Sequence, residues 1–145
     1  MSALTIVIAA IIAGAFMALA SEIGYRLGVL KSNLIIIDGQ FAIERLKWKQ
    51  ASATIYILGI IIHLMTSAMF AVIYYAIISL FDLSATAIYV IAPYVVFLWL
   101  AMLFVALPIS GQGMVGRKIG QFGWIEQLAF HAIFGIVLWW MLDTL

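Results

Sequence analysis

The only two histidines of the chain each lie inside a long apolar run. His63 lies in "GIIIHLMTSAMFAVIYY" and His131 lies in "QLAFHAIFGIVLWW". An ionisable side chain in such a run is a functional candidate, because hydrocarbon offers it no hydrogen-bond partner. A neutral imidazole can bond to a neighbouring helix, ligate an iron or copper ion, or carry a proton.

Three interpretations of the histidines follow from this chemistry. We favour a structural role in which each imidazole bonds to a neighbouring helix, so that no cofactor is expected. In the first alternative, His63 and His131 are cofactor-binding residues that ligate a haem iron or a copper ion. In the second alternative, the histidines and the carboxylates of Glu22 and Glu126 line a path for protons or a small solute.

The depths of the two histidines bear on the haem alternative, because two axial ligands must reach one iron at nearly the same level. Counted from the ends of the apolar runs, the histidines differ in depth by about 9 Å at about 1.5 Å per residue. Counted from the nearest aromatic pairs, the difference is about 4 to 5 Å. The larger value argues against haem. A closed metal site would also need further donors, and the chain has no cysteine.

Four other polar residues are expected in the interior of the folded protein. Ser67 and Gln127 each lie four residues from a histidine and therefore share its helical face. Glu22 and Glu126 lie near one end of their apolar runs, where basic residues can pair with them. The predicted polar interior is therefore Glu22, Ser67, Glu126 and Gln127. No carboxylate pair, nucleophile triad, phosphate loop or zinc spacing is found, so catalysis is not expected.

The elements that position these residues follow from composition. The chain has 145 residues, of which 68% are hydrophobic and 9% charged, whereas a soluble domain carries roughly 25% charged residues. Four apolar runs each supply the roughly 20 residues needed to cross a bilayer, and strand-like alternation is absent. The sequence predicts an all-α integral membrane protein, a single domain over 1–145. Its transmembrane helices are expected at about 3–25, 51–81, 85–107 and 124–142.

The seven basic residues predict how the chain is threaded. All of them fall in the connections between the first and second runs and between the third and fourth runs. By the positive-inside rule, these two connections are cytoplasmic and both termini lie outside. We expect a multi-pass protein of a prokaryotic inner membrane. The segment at about 40–49 is expected to lie in the membrane interface or, alternatively, to extend the second transmembrane helix beyond the membrane. The residues expected to contact lipid headgroups are Arg45, Lys47, Lys49, Arg117 and Lys118.

The two halves of the chain predict a parallel two-helix repeat. Aligning His63 with His131 also aligns Gly59 with Gln127, and both halves consist of an inward helix, a basic loop and an outward helix. In the first helix, small residues spaced by four from Ala10 predict close packing at the centre of the bundle. The run "GQGMVG" at 111–116 fits a dinucleotide fingerprint, but it follows an apolar helix instead of a strand, so nucleotide binding is not expected.

The segments "GIIIHLMTSAMFAVIYYAI" and "GRKIGQFGWIEQLAFHAIFGIVLW" resemble those of a group of small prokaryotic four-helix membrane proteins of uncharacterised activity. The resemblance implies the fold, but neither a function nor site residues. The main functional hypothesis is a non-catalytic subunit or assembly factor of a larger membrane complex. The alternatives are a haem- or metal-binding redox subunit using His63 and His131, and a small-solute or proton channel or transporter. The expected partners are the lipid bilayer and other membrane subunits or further copies of the chain, and no nucleic acid.

Overall fold

The computed structural model describes residues 1–145 and is entirely helical. The helices are α1 (Ala3–Arg26), α2 (Leu34–Leu46), α3 (Ser52–Leu80), α4 (Ile88–Ile109) and α5 (Gly123–Thr144). Four of them, α1, α3, α4 and α5, are long and apolar enough to cross a membrane. Their bounds lie within three residues of the four predicted spans.

Helix α1 lies at the centre of the bundle, between α3 and α5, and α4 packs on the other side of α5. Small residues allow these close approaches. A side chain at Gly14 would place its Cβ 2.1 Å from the Ser67 hydroxyl oxygen, and one at Gly135 would place its Cβ 2.9 Å from a Val95 methyl group. The small residues spaced by four in α1, Ala10, Gly14 and Ala18, are buried as predicted. The order across the bundle is α3, α1, α5, α4.

Helix α2 differs from the predicted interfacial segment at about 40–49. It begins six residues earlier, at Leu34, and packs along α3 in the antiparallel direction. A Cβ at Gly39 would lie 2.0 Å from the Ile55 carbonyl oxygen, and a Cβ at Gly59 would lie 2.0 Å from the Ile35 carbonyl oxygen. Because neither glycine has a side chain, the two backbones meet directly. Helix α2 is therefore part of the packed bundle.

Helix α4 contains a π-helical turn at Met102–Ala106, in which the Leu107 amide donates to the Met102 carbonyl. Its cause is Pro108, which has no amide hydrogen and whose ring crowds the carbonyl four residues earlier. A wider turn relieves that clash. Pro93 lies in the second turn of the same helix. The helix was predicted to end at about residue 107, and it ends at Ile109.

All lysines and arginines lie at one end of the bundle, where α1 and α4 finish and α3 and α5 begin. We call this the basic end and the opposite one the far end. The loop between α4 and α5 turns through left-handed backbone conformations at Gly111, Gly113 and Gly116. This loop follows a helix, whereas the dinucleotide fingerprint requires a preceding strand.

Candidate functional site

His63 is buried midway along α3 and both of its ring nitrogens contact oxygen atoms. Nδ1 lies 3.0 Å from Oδ2 of Asp38 on α2, and Nε2 lies 3.2 Å from the carbonyl oxygen of Gly14 on α1. The ring thus joins three helices. The absence of a side chain at Gly14 allows α1 to approach α3 closely enough for the contact with Nε2. One turn later in α3, the Ser67 hydroxyl donates to the His63 carbonyl at 2.9 Å.

The two contacts of His63 restrict where the pair can carry its protons. The Gly14 carbonyl only accepts hydrogen bonds, so Nε2 must carry a proton. Nδ1 then either carries a second proton, donated to the Asp38 carboxylate, or accepts one from a protonated Asp38. Both arrangements hold the same two protons and the same net charge of zero. A neutral pair is the inexpensive state in an apolar interior.

His131 on α5 has a different arrangement. Its Nδ1 lies 2.8 Å from the carbonyl oxygen of Gln127, one turn earlier in the helix. Since that oxygen only accepts, Nδ1 carries the proton and Nε2 is left with a lone pair. No side chain or backbone group of the protein bonds to Nε2, and the ring lines a cavity. His131 is therefore a free hydrogen-bond acceptor within the bundle.

A cavity of about 420 Å³ lies where α3 and α4 separate, and both histidines line it. Its walls are mostly hydrophobic and include the π-helical turn of α4. Its polar groups are the side chains of Asp38, His63, Thr66, Ser67, Ser110 and His131.

Toward the far end the cavity is closed, because Tyr74 of α3 and Tyr94 of α4 meet with ring centroids 4.9 Å apart. The Tyr94 hydroxyl also donates to the Phe70 carbonyl. Helices α3 and α4 otherwise do not pack along each other. The cavity therefore opens between them, along the half of the bundle nearer the basic end.

The predicted interior carboxylates hold the loop between α1 and α2. Glu126 accepts from the amide of Lys31 at 3.0 Å and from the amide and hydroxyl of Ser32 at 2.9 and 2.5 Å. Glu22 contacts Arg26 and accepts from the amide group of Asn33. These carboxylates lie outside the cavity lining, so the structure does not bring them to the histidines.

Gln127 is fully buried, as expected for the polar interior. Its side-chain nitrogen donates to the Ser32 hydroxyl at 3.3 Å, and its Oε1 has no partner within the protein. A buried unpaired amide oxygen of this kind is usually satisfied by a bound water. The residues predicted to contact headgroups, Arg45, Lys47, Lys49, Arg117 and Lys118, are all exposed at the basic end.

The geometry bears on the metal alternative for His63 and His131. Only Nε2 of His131 is free to ligate an ion, since His63 would first have to release Asp38 or Gly14. No group of three metal-ligating side chains is brought together anywhere in the chain. The haem or copper alternative stays a prediction, one that requires His63 to change its contacts.

Sequence reasoning missed Asp38, the residue that pairs with His63. The signal was an acidic residue directly after four apolar residues, in "LIIID", because an ionisable residue beside apolar ones is a functional candidate. Comparison with protein-family models, curated proteins and solved structures gives no match for this chain. The functional argument therefore rests on the geometry of the site.

Proposed function

We propose that this chain is a small, non-catalytic membrane protein that binds a hydrophobic small molecule in the cavity between α3 and α4. The observation that carries the proposal is the cavity itself. At about 420 Å³ it lies within the range of about 300 to 1,000 Å³ typical of ligand sites. It combines apolar walls with a few convergent polar groups, which is the usual composition of such a site.

The arrangement of α4 supports the proposal. The π-helical turn at Met102–Ala106 forms part of the cavity wall, and such turns occur frequently at functional sites. The polar groups of Asp38 and His131 face the same space from two different helices. A core with only a structural role would be filled by side chains to the packing density of an organic crystal, so the unfilled cavity favours a ligand site.

The shape of the opening favours a small molecule over a partner helix. A transmembrane helix has a diameter of about 10 Å, and it would need a groove that continues along the bundle. The contact between Tyr74 and Tyr94 blocks the groove toward the far end. The predicted role as a subunit or assembly factor is compatible with a bound ligand and stays a prediction, tested by the proteins that copurify from native membranes.

The setting that we propose is a prokaryotic inner membrane, with the basic end on the cytoplasmic side and both termini outside. The support is the placement of every lysine and arginine at one end of four apolar helices. In that orientation the cavity opens toward the inner leaflet, and a hydrophobic ligand would enter from the lipid between α3 and α4.

The proposal is tested by filling the cavity. In Ala101→Trp the indole projects from α4 into the cavity, which Ala101 lines. The matched control is Leu100→Trp, because the neighbouring Leu100 is exposed on the outer surface of α4 and does not line the cavity. Binding of radiolabelled 1-octanol to the protein in lipid nanodiscs is measured for both variants against empty nanodiscs.

We expect saturable binding to the unmodified protein and to Leu100→Trp, and at least about a tenfold loss of affinity in Ala101→Trp, since the indole removes the space. Equal binding by the two variants would contradict the proposal. So would octanol uptake that never saturates above the level of empty nanodiscs, because the molecule would then be dissolving in the lipid.

A further inference from the structure

We infer that the ligand of this cavity is a hydrophobic amine, bound as its ammonium ion at Asp38 in exchange for one proton. The inference rests on the proposed function and names the class of molecule that the same site takes. It follows from the sign of the charges at the cavity, the proton count of the Asp38–His63 pair and the accessibility of Asp38.

The cavity favours a cation over an anion. No lysine or arginine is among its lining residues, and its only carboxylate belongs to Asp38. The His131 Nε2 lone pair is a second acceptor. A ligand carrying phosphate or carboxylate would find no positive partner there except the protonated imidazole, which Asp38 already neutralises. An ammonium group has three donors and no acceptor, and it matches these groups.

Asp38 is within reach of a ligand. Its side chain is 25% exposed, whereas the His63 side chain is 11% exposed. Only Oδ2 of Asp38 contacts His63, so Oδ1 is free to accept from a ligand. An ammonium ion in the cavity could therefore reach the carboxylate without first breaking the contact between α2 and α3.

The exchange balances in charge and in protons. Before binding, the pair holds two protons and is neutral. When the ammonium ion binds, the proton between Nδ1 and Asp38 leaves to water, and the imidazole keeps the Nε2 proton that it donates to Gly14. The carboxylate then pairs with the ammonium ion, and the Nδ1 lone pair becomes a second acceptor for it. The occupied site is again neutral, and no covalent bond other than N–H or O–H changes.

Few other ionisable groups surround the pair. His131 of α5 lines the same cavity, and α4 carries no charged residue. On α1, Glu22 is held by Arg26 and Asn33 and is contacted by Tyr56 of α3. On α2 itself, the other ionisable residues are Glu44 and Arg45, both exposed. The proton that is released therefore comes from Asp38 and His63.

The experiment compares octylammonium with 1-octanol, which has the same chain and no charge. Binding to the protein in nanodiscs of uncharged lipid is measured between pH 5 and pH 8, and proton release is measured with a pH indicator in weakly buffered solution. We expect octylammonium to bind at least about tenfold more tightly than octanol, with one proton released per ligand at any pH where the free pair is protonated. Its affinity should rise by up to about tenfold per pH unit where the pair is protonated, while octanol binding should not change with pH.

The matched variants are Asp38→Asn and Glu44→Gln. The first removes the carboxylate while keeping its shape, so preference for the amine, proton release and pH dependence should all be lost while octanol still binds. The second removes an exposed carboxylate of the same helix and should change none of these. Asp38→Glu keeps the charge and should restore proton release, which separates loss of the carboxylate from misfolding.

The possible outcomes separate this inference from the proposed function. Octanol binding without preference for octylammonium would overturn the inference and leave the proposed function standing. Tight octylammonium binding with no proton release would overturn the exchange. Absence of saturable binding by both probes would overturn both proposals. Retention of amine preference and proton release in Asp38→Asn would place the exchanging group elsewhere and contradict the inference.

Discussion

The close contact between α2 and α3 gives a prediction whose size follows from the structure. In Gly59→Ala, the new Cβ would lie 2.0 Å from the Ile35 carbonyl oxygen, whereas ordinary contact begins at 3.4 Å. The obstacle is backbone, so helix α2 must move away by about 1.4 Å, the difference between these distances. A displacement of that size along the line from His63 Nδ1 to Asp38 lengthens their 3.0 Å contact beyond hydrogen-bond range.

The free energies indicate a clear destabilisation. Overpacking of this kind costs about 1 to 3 kcal/mol, and the loss of a hydrogen bond to a charged group costs about 1.5 to 3 kcal/mol. Alanine recovers about 1 kcal/mol relative to glycine in a helix. We therefore expect Gly59→Ala to lower the free energy of unfolding by about 3 kcal/mol, measured by reversible denaturation in mixed micelles.

The control is Gly135→Ala. Its Cβ would meet only a methyl group of Val95, at 2.9 Å, and a side chain can turn away where a backbone carbonyl cannot. The overpacking cost and the helical gain are then expected to cancel to within about 1 kcal/mol. If Gly59→Ala unfolds at the same denaturant concentration as Gly135→Ala, the reasoning from close backbone contact is refuted.

Three further predictions concern the loop, the closed end of the cavity and the threading. Glu126→Gln should lower the free energy of unfolding by about 2 to 4 kcal/mol, because an amide cannot accept the bonds from Lys31 and Ser32 as a carboxylate does. Glu44→Gln is the exposed control, and an equal loss of stability in both variants would contradict the role of Glu126. Tyr94→Phe should cost about 1 kcal/mol through loss of the bond to Phe70 and leave octanol affinity unchanged, whereas a large change in affinity would show that this end is not a closed wall. A topology reporter fused after residue 145 should be active only outside the cytoplasm, and cytoplasmic activity would show the proposed orientation to be reversed.

Much of the fold could be predicted from the sequence, because a helix long and apolar enough to cross a bilayer is visible as an apolar run of about 20 residues. The central position of α1 also followed, since its small residues share one face. The two histidines were predicted to be functional candidates, and both line the same cavity. The repeat stays a prediction, although Ser67 and Gly135, which each lie four residues after an aligned histidine, both make a close contact with the long apolar helix preceding them in the chain.

The partner of His63 could not be predicted because it depends on α2. The charged residues from Glu44 to Lys49 predicted a helix lying along the membrane surface, whereas the apolar residues before them belong to the same helix and pack on α3. What decides the position of α2 is backbone contact at Gly39 and Gly59, which lie 20 residues apart in the chain. Contacts between distant glycines leave no periodic signal in one sequence. The gap between α3 and α4 is also a tertiary property, set by the packing of α3 on α1 and of α4 on α5.

The most direct test of the central claim is to locate where a hydrophobic ligand attaches. Octanol carrying a photoreactive diazirine is bound to the protein in nanodiscs, irradiated, and mapped by peptide mass spectrometry. We predict saturable labelling at cavity-lining residues such as Leu98, Ala101 and Met102, removed by excess unlabelled octanol. Labelling spread over exposed α4 residues such as Val96 and Leu100, and unaffected by competition, would contradict a binding site between α3 and α4.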